Sequence, residues 1–264
     1  MLHIRDLRVV YPNGFEALKS VSMSVEDGEI VGLIGRSGAG KSTILRCING
    51  LQKVTSGEIF VDEMAMCNLD AQGLRAARCK IGFVWQEYNL VERLSVMKNV
   101  LTGRLGYQKG IGSYFHYFGR ADRAIAVESL ERVNLLHRAN NRADRLSGGE
   151  KQRVAIARAL SQQPRIILAD EPVASLDVEL SWQVMNDLVR VSRQERVPTL
   201  ISIHDVELAK TFCDRIVGLA QGRVVFDGSA KNLDDAALDR VYRFDKPINL
   251  DGAAEPTAAS MVGD

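Results

Sequence analysis

What is scarce in this 264-residue chain excludes whole classes of protein. No stretch approaches the roughly 18 consecutive apolar residues that a membrane-crossing helix needs. A surplus of one charge is missing too. The 34 Lys and Arg against 33 Asp and Glu leave a formal net charge of +1. That removes any global electrostatic reason to bind nucleic acid, so binding charge must be argued locally. Cysteine is sparse: Cys47, Cys67, Cys79 and Cys213 form no CxxC pair and fall in apolar or helical stretches. Free thiols in a reducing cytosol are the expectation. Met1 to Tyr11 carries Arg5, Asp6 and Arg8 and no long apolar run, so no signal peptide is expected there. Internal repeats are absent. What remains, 46% hydrophobic and 25% charged residues, is ordinary globular composition for one or two domains.

Alternation and punctuation then outline an α/β chain. Strands are expected at 2–11, 18–25, 29–34, 57–61, 81–85, 165–169 and 199–203, with a hairpin through Ala220-Gln221-Gly222. The run Glu29 to Ile34 is apolar almost throughout, as a strand covered on both faces should be. Helices are expected at 41–49, 120–136 (with apolar Ala124, Val127, Leu130 and Val133), 150–161, 178–193 and 205–213. Strands alternating with helices imply a parallel sheet with right-handed crossovers. The helical stretch of about 87–150 interrupts that alternation as an inserted subdomain. The end, 247–264, is rich in Ala, Gly and acidic residues and is expected to be disordered.

Three motifs carry chemistry. Gly35 to Ser42, GRSGAGKS, fits G-x-x-x-x-G-K-[ST] between a buried strand and a helix. At about 5–10% usage per fixed residue type, chance produces such a match about once in 10⁴ to 10⁵ positions. Glycines let successive N–H groups face inward as an anion nest, and the helix start adds its positive end. Lys41 would bridge the β- and γ-phosphates and the Ser42 hydroxyl would ligate Mg²⁺. Second, the apolar run Ile166 to Ala169 ends in Asp170 and Glu171. A strand end is where an open α/β sheet sets acidic groups beside a phosphate. Asp170 would hold Mg²⁺, and Glu171 would orient or deprotonate the attacking water. Third, Leu146-Ser147-Gly148-Gly149-Glu150 precedes a helix. Ser147 and Glu150 have capping-box spacing, which explains a helix start by itself. The two glycines go beyond a cap, since they admit close approach of a ligand at a positive helix end. Because one ATP already has its phosphate loop, this segment points to the nucleotide of a second copy in a twofold dimer.

With these motifs in order from about residue 2 to 244, the chain resembles the ATP-binding subunit of an ABC transporter, whose signature is L-S-G-G-E at 146–150. The resemblance implies an α/β, RecA-like P-loop NTPase fold over 1–246: a parallel-sheet core, an N-terminal antiparallel β subdomain and the inserted helical subdomain. It implies an ATPase, ATP and Mg²⁺ as ligands, and nucleotide contacts from Tyr11 (on adenine), Gly35, Arg36, Ser37, Gly38, Ala39, Gly40, Lys41, Ser42 and Thr43. Lys41, Glu171 and His204 would act in hydrolysis. Ser42, Asp170 and Gln86 would serve the metal. Ser147, Gly148, Gly149, Glu150 and Asp177 would meet the partner copy. Other implied partners are two membrane-spanning permease subunits and, indirectly, a substrate-binding protein, with no nucleic acid. The implied location is the cytoplasmic face of the plasma membrane, as a peripheral subunit.

Within the family, segments 88–96, 103–107, 167–177, 214–219, 226–228 and 238–243 are most similar to phosphonate-import ATPases. Departures are Glu87 where Gln is expected, Glu150 for a common Gln, Val178 for Pro and Asp205 for Gln. None removes a group expected to touch phosphate or metal. An importer ATPase for another cargo and a soluble, non-transport ABC ATPase remain as alternatives. The latter commonly resembles two fused cassettes or one with a long coiled-coil insert. A P-loop kinase would need an acceptor lid that the sequence does not offer. The aromatic and basic stretch 107–123 (Tyr107, Lys109, Tyr114, Phe115, Tyr117, Phe118, Arg120, Arg123) reads as core of the helical subdomain with solvated charge or as a surface for a membrane-subunit helix, with nucleic-acid binding a weaker third option.

Overall fold

A computed structural model describes residues 1–108 and 118–243. The chain opens with β1 (Leu2–Val10), β2 (Glu16–Val25) and β3 (Ile30–Ile34), then α1 (Lys41–Ile48), β4 (Ser56–Val61), β5 (Met64–Ala65), α2 (Ala71–Arg78) and β6 (Ile81–Val84). Among the described residues, three α-helices follow without a strand: α3 (Val96–Leu101), α4 (Arg120–Arg132) and α5 (Gly148–Ser161). The remainder is β7 (Ile166–Asp170), α6 (Val178–Glu195), β8 (Thr199–Ser202), α7 (Val206–Phe212), β9 (Arg215–Ala220), β10 (Arg223–Ser229) and α8 (Asp235–Tyr242).

Two sheets result. One is antiparallel, in the order β2-β1-β4-β5. The other runs β10-β9-β3-β8-β7-β6 and is parallel except for the β9–β10 hairpin. Every residue of β3, β6, β7 and β8 is buried. Helices cover both faces of such strands, so they need no polar alternation. The alternation divides the core instead. Ile167, Ala169 and Ile201 join one cluster with residues of α5 and α6, such as Val154 and Leu188. Leu168, Leu200 and Leu33 join the other with Ile44 and Leu45 of α1. The strand ends beyond Ile34, Val84, Asp170 and Ser202 therefore lie at one edge of the sheet, as parallel pairing requires.

Most expected elements are present with ends shifted by one or two residues. The larger departures have local causes. The helix expected at 120–136 stops at Arg132. Asn134 is left-handed (φ +57°), and the N–H groups of Asn134 and Leu135 close back on Glu131 and Leu130, which is a Schellman ending. Its buried side chains are Ala126, Ser129 and Leu130, while Ala124 is exposed and Val127 half-buried. Helices α2 and α8 were not expected. Each starts on an aspartate cap: Gly73 N–H donates to Asp70 at 2.7 Å and Ala237 N–H to Asp234 at 2.8 Å. All four cysteines are free, and burial pushes the Cys47 and Cys213 thiols up to about 12. Among the described residues no helix is long and apolar enough to cross a membrane. The end expected to be disordered, 247–264, and Lys109, Tyr114, Phe115 and Tyr117 of the aromatic stretch lie outside the described residues. Its other two aromatics turn inward. Phe118 is buried, and the Tyr107 hydroxyl sits between the carbonyls of Cys79 (2.9 Å) and Gln162 (2.6 Å), with the Arg104 guanidinium 4.0 Å from its ring centre.

Candidate functional site

The loop between β3 and α1 is built to expose backbone N–H groups. Gly35 has φ +149°, and a Cβ there would stand 2.4 Å from Leu219 O. Gly40 has φ +112° and takes the N-cap position of α1 with no side-chain cap and no acidic residue in the first turn. A Cβ at Gly40 would meet Leu18 Cδ2 at 2.7 Å. Both positions therefore demand glycine, and the helix start keeps its positive end unmasked. Lys41, 5% exposed, donates from Nζ to Gly35 O at 2.8 Å and Arg36 O at 3.3 Å. Burial pulls its ammonium below the usual lysine range, while the carboxylates of Glu171 and Asp170 oppose that shift.

Opposite the loop, β7 delivers its two acids. Ser42 Oγ donates to Asp170 Oδ1 at 2.8 Å, so two hard oxygen donors from distant parts of the chain meet. Among the described residues no group of three or more His, Cys, Asp and Glu could hold a metal alone. A Ser–Asp pair beside a phosphate nest suits Mg²⁺, which takes few protein oxygens and shares the rest with phosphate and water. Glu171 leaves the strand at φ +46°, a conformation that costs about 1–3 kcal/mol for a non-glycine residue. Its N–H donates to Ser202 O at 3.2 Å, which ties the turn to β8. Glu171 Oε1 then lies 3.8 Å from Lys41 Nζ and 3.4 Å from His204 Nε2. His204 follows β8 and is half exposed.

Tyr11, just past β1, shares a 3.1 Å hydrogen bond with Thr43 Oγ1. Phe15 across the turn holds its ring nearly parallel to that of Tyr11, 11° between planes and 6.4 Å between centres. A cavity of about 270 Å³ is bounded by these two rings, Gly38, Gly40, Lys41 and Glu171. Phe15 was missed in the sequence. Its signal was the tight turn, whose Tyr11 N–H to Phe15 O bond sets two aromatics together.

The remaining candidates stand elsewhere. Ser147 caps α5: Glu150 N–H donates to Ser147 Oγ at 3.3 Å and Ser147 N–H to Glu150 Oε2 at 2.9 Å. That N–H, with help from Arg138, holds the Glu150 carboxyl below its usual range. The two glycines have a reason inside this chain: a Cβ at Gly148 would stand 2.9 Å from Leu176 Cδ2, and one at Gly149 3.2 Å from Leu180 Cδ2. Asp177 caps α6, accepting from Leu180 N–H at 2.9 Å. Ser147 and Asp177 are exposed, and neither borders the cavity at Lys41. Gln86 is exposed in the turn after β6, beside the end of β7. The Ser42–Asp170 contact is made without it. The turn is held from α5, where Gln152 Nε2 donates to Trp85 O at 3.4 Å and Arg158 to the carbonyls of Tyr88 (2.8 Å) and Asn89. Tyr88 and Asn89 are both left-handed, φ +56° and +49°. Arg158 was also missed, since its partners lie about 70 residues away in sequence.

A family model described as "ABC transporter" matches residues 18–174. The phosphonates import ATP-binding protein PhnC 1 of Rhodopseudomonas palustris is 49% identical over 92% of this chain and 89% of its own length. The phosphonates import ATP-binding protein PhnC 1 of Oceanobacillus iheyensis is 46% identical over 92% and 94%. Among solved structures, a dimeric ATP-binding cassette in a post-hydrolysis state, bound to ADP and Pi, is 35% identical, with TM-score 0.76, over 87% of this chain and 99% of that one.

Proposed function

The chain belongs to the ABC transporter family, and from that premise we propose that it is the ATP-hydrolysing subunit of an importer for phosphonates or a related phosphorus oxyanion. One observation carries the ATPase reading: Lys41, Ser42, Asp170, Glu171 and His204, drawn from two separate strand ends and one helix start, converge at one rim. The names of the relatives carry the cargo reading.

In this reading the N–H groups of 35–43, with Arg36, Ser37, Ala39 and Thr43 among them, cradle the phosphates of ATP. The Lys41 ammonium spans the outer two, and Tyr11, with Phe15 beside it, faces the base. Ser42 and Asp170 would hold Mg²⁺, with Gln86 reaching in from the neighbouring strand end. When bound, the ion neutralises phosphate charge. Glu171 accepts a proton from the attacking water as its oxygen bonds to the terminal phosphorus and the bond to the ADP oxygen breaks. His204 hydrogen-bonds the terminal phosphate and steadies Glu171. Ser147, Gly148, Gly149, Glu150 and Asp177 are exposed or half-exposed apart from Gly149 and lie outside their own chain's cavity. They meet the ATP of a second copy in a twofold dimer. Two permease subunits in the membrane receive the motion through the helical segment, and this chain sits beside them on the cytoplasmic face. The cargo, brought by a binding protein, does not touch it.

The test is growth of a deletion strain on an alkylphosphonate as sole phosphorus source. Growth should be lost, and restored by the wild-type chain but not by Glu171→Gln. Normal growth of the deletion strain, in a cell with no second such importer, overturns the phosphonate assignment.

A further inference from the structure

Ser202 ends β8 and pairs in register with Asp170 on one side and Leu33 on the other. In-register neighbours in a parallel sheet send their side chains out of the same face. That face is the one carrying Leu33, Leu168 and Leu200 toward α1, whereas Ile201 and Ala169 belong to the opposite core. The Ser202 side chain therefore stands next to the Asp170 carboxylate, beneath the first turn of α1, where Ser42 already donates to Asp170 Oδ1.

Ser202 is 0% exposed, and among the described residues its Oγ has no hydrogen-bond partner. Thr199, the other hydroxyl residue of β8, is equally buried but donates to Val197 O at 3.1 Å. A buried hydroxyl without a partner destabilises a fold, and an apolar residue of similar size would remove that cost. Its position gives it a use. Asp170 is 7% exposed and its Oδ1 already accepts from Ser42, so Oδ2 is the oxygen left to accept a further donor.

We propose that Ser202 is a positioning residue of the divalent-cation site, whose Oγ–H donates to Asp170 Oδ2 when metal and nucleotide are bound, so that Oδ1 and Ser42 Oγ stay aimed at the ion. Carboxylates that ligate metals are themselves hydrogen-bonded, and losing such an outer partner costs about 10–100-fold in metal affinity. The inference rests on reading the Lys41 cavity as an ATP site.

The experiment follows thermal unfolding of the full chain with a non-hydrolysable ATP analogue, while Mg²⁺ is titrated. Ser202→Ala should need about tenfold more Mg²⁺ for half-maximal stabilisation. With EDTA present, its stabilisation by the analogue should match wild type, and without ligand it should unfold no earlier than wild type. Ser202→Thr, which keeps the hydroxyl, should fall within about twofold of wild type, and its isostere Ser202→Val should behave like Ser202→Ala. A Ser202→Ala midpoint within about twofold of wild type, or equal midpoints for Thr and Val, overturns the proposal. If the analogue fails to stabilise the wild-type chain at all, with or without Mg²⁺, the ATP reading falls first and takes this inference with it.

Discussion

The rim at Lys41 and the start of α5 are both helix N-termini framed by glycines, yet they are finished differently. At α1 the cap position is a bare glycine, no acid occupies the first turn, and a buried ammonium faces two carboxylates. At α5 the start is already satisfied by a capping box within the chain, and a negative Glu150 occupies the positive end. One end leaves its donors for a ligand and gathers the groups proposed to act in hydrolysis around it. The other is a stable, exposed turn with no catalytic group of its own. In the proposed dimer, the complete rim of one copy and the incomplete edge of the other form one site across the interface.

The largest effect should come from the complete rim. Glu171→Gln removes the proposed base while keeping the side chain's shape, and turnover should fall by about 100-fold or more, since general-base catalysis contributes about 10²–10⁴-fold. ATP binding should persist, and the variant should accumulate as an ATP-bound dimer on size exclusion. Wild-type turnover in single-turnover assays would break the assignment of Glu171.

The division between the two regions can be broken directly by mixing variants. Lys41→Ala damages the rim and Ser147→Arg the edge, so each chain alone should be inactive. Mixed in equal parts, about half the dimers pair one of each, and each such dimer holds one intact composite site. ATP turnover should reappear on mixing. If it does not, while both variants still dimerise, the edge serves its own chain's rim and the comparison collapses.

How much of this was legible in the sequence follows the range of the interactions. Gly35 to Ser42 and Ile166 to Glu171 announce themselves because the chemistry sits within eight contiguous residues and the flanking strands are continuously apolar. That the strand ends align, bringing Ser42 within 2.8 Å of Asp170, follows from parallel pairing. The grip of Arg158 on the Tyr88–Asn89 turn spans about 70 residues and leaves no local trace. The burial of the small Ala126 and Ser129 on α4, beside larger apolar neighbours that stay half-buried, is set by packing, which periodicity cannot foresee. The paired glycines at 148–149 were read as room for a ligand, and within the chain that room is used by Leu176 and Leu180.

A smaller effect sharpens the claim that α5 is finished locally. Ser147→Ala removes the cap oxygen that Glu150 N–H donates to, and should destabilise the chain by about 1 kcal/mol. Urea unfolding measures it through a lowered midpoint at unchanged slope. No loss of stability would mean that the capping geometry does not hold the edge, and that contact with a second copy must.

The smallest effect separates charge from hydrogen bonding at the same turn. Glu150→Gln keeps an oxygen for the Ser147 N–H but loses the charge beside the helix start and Arg138. The Glu150 carboxyl titrates below its ordinary value of 4.5, chiefly because it accepts the Ser147 N–H. A depressed folded value means stability that is present above the unfolded pKa and is lost as pH falls through the folded one. Wild type should therefore exceed Glu150→Gln by about 0.5 kcal/mol near pH 7, the scale of a charge at a helix end. The difference should shrink steadily as the pH drops below about 4.5, because protonation then erases the same charge in the wild-type chain. A difference that is flat from neutral to acid pH would assign the turn's stability to the hydrogen bonds alone, and Glu150 would then owe its place at the edge to what it meets across the dimer.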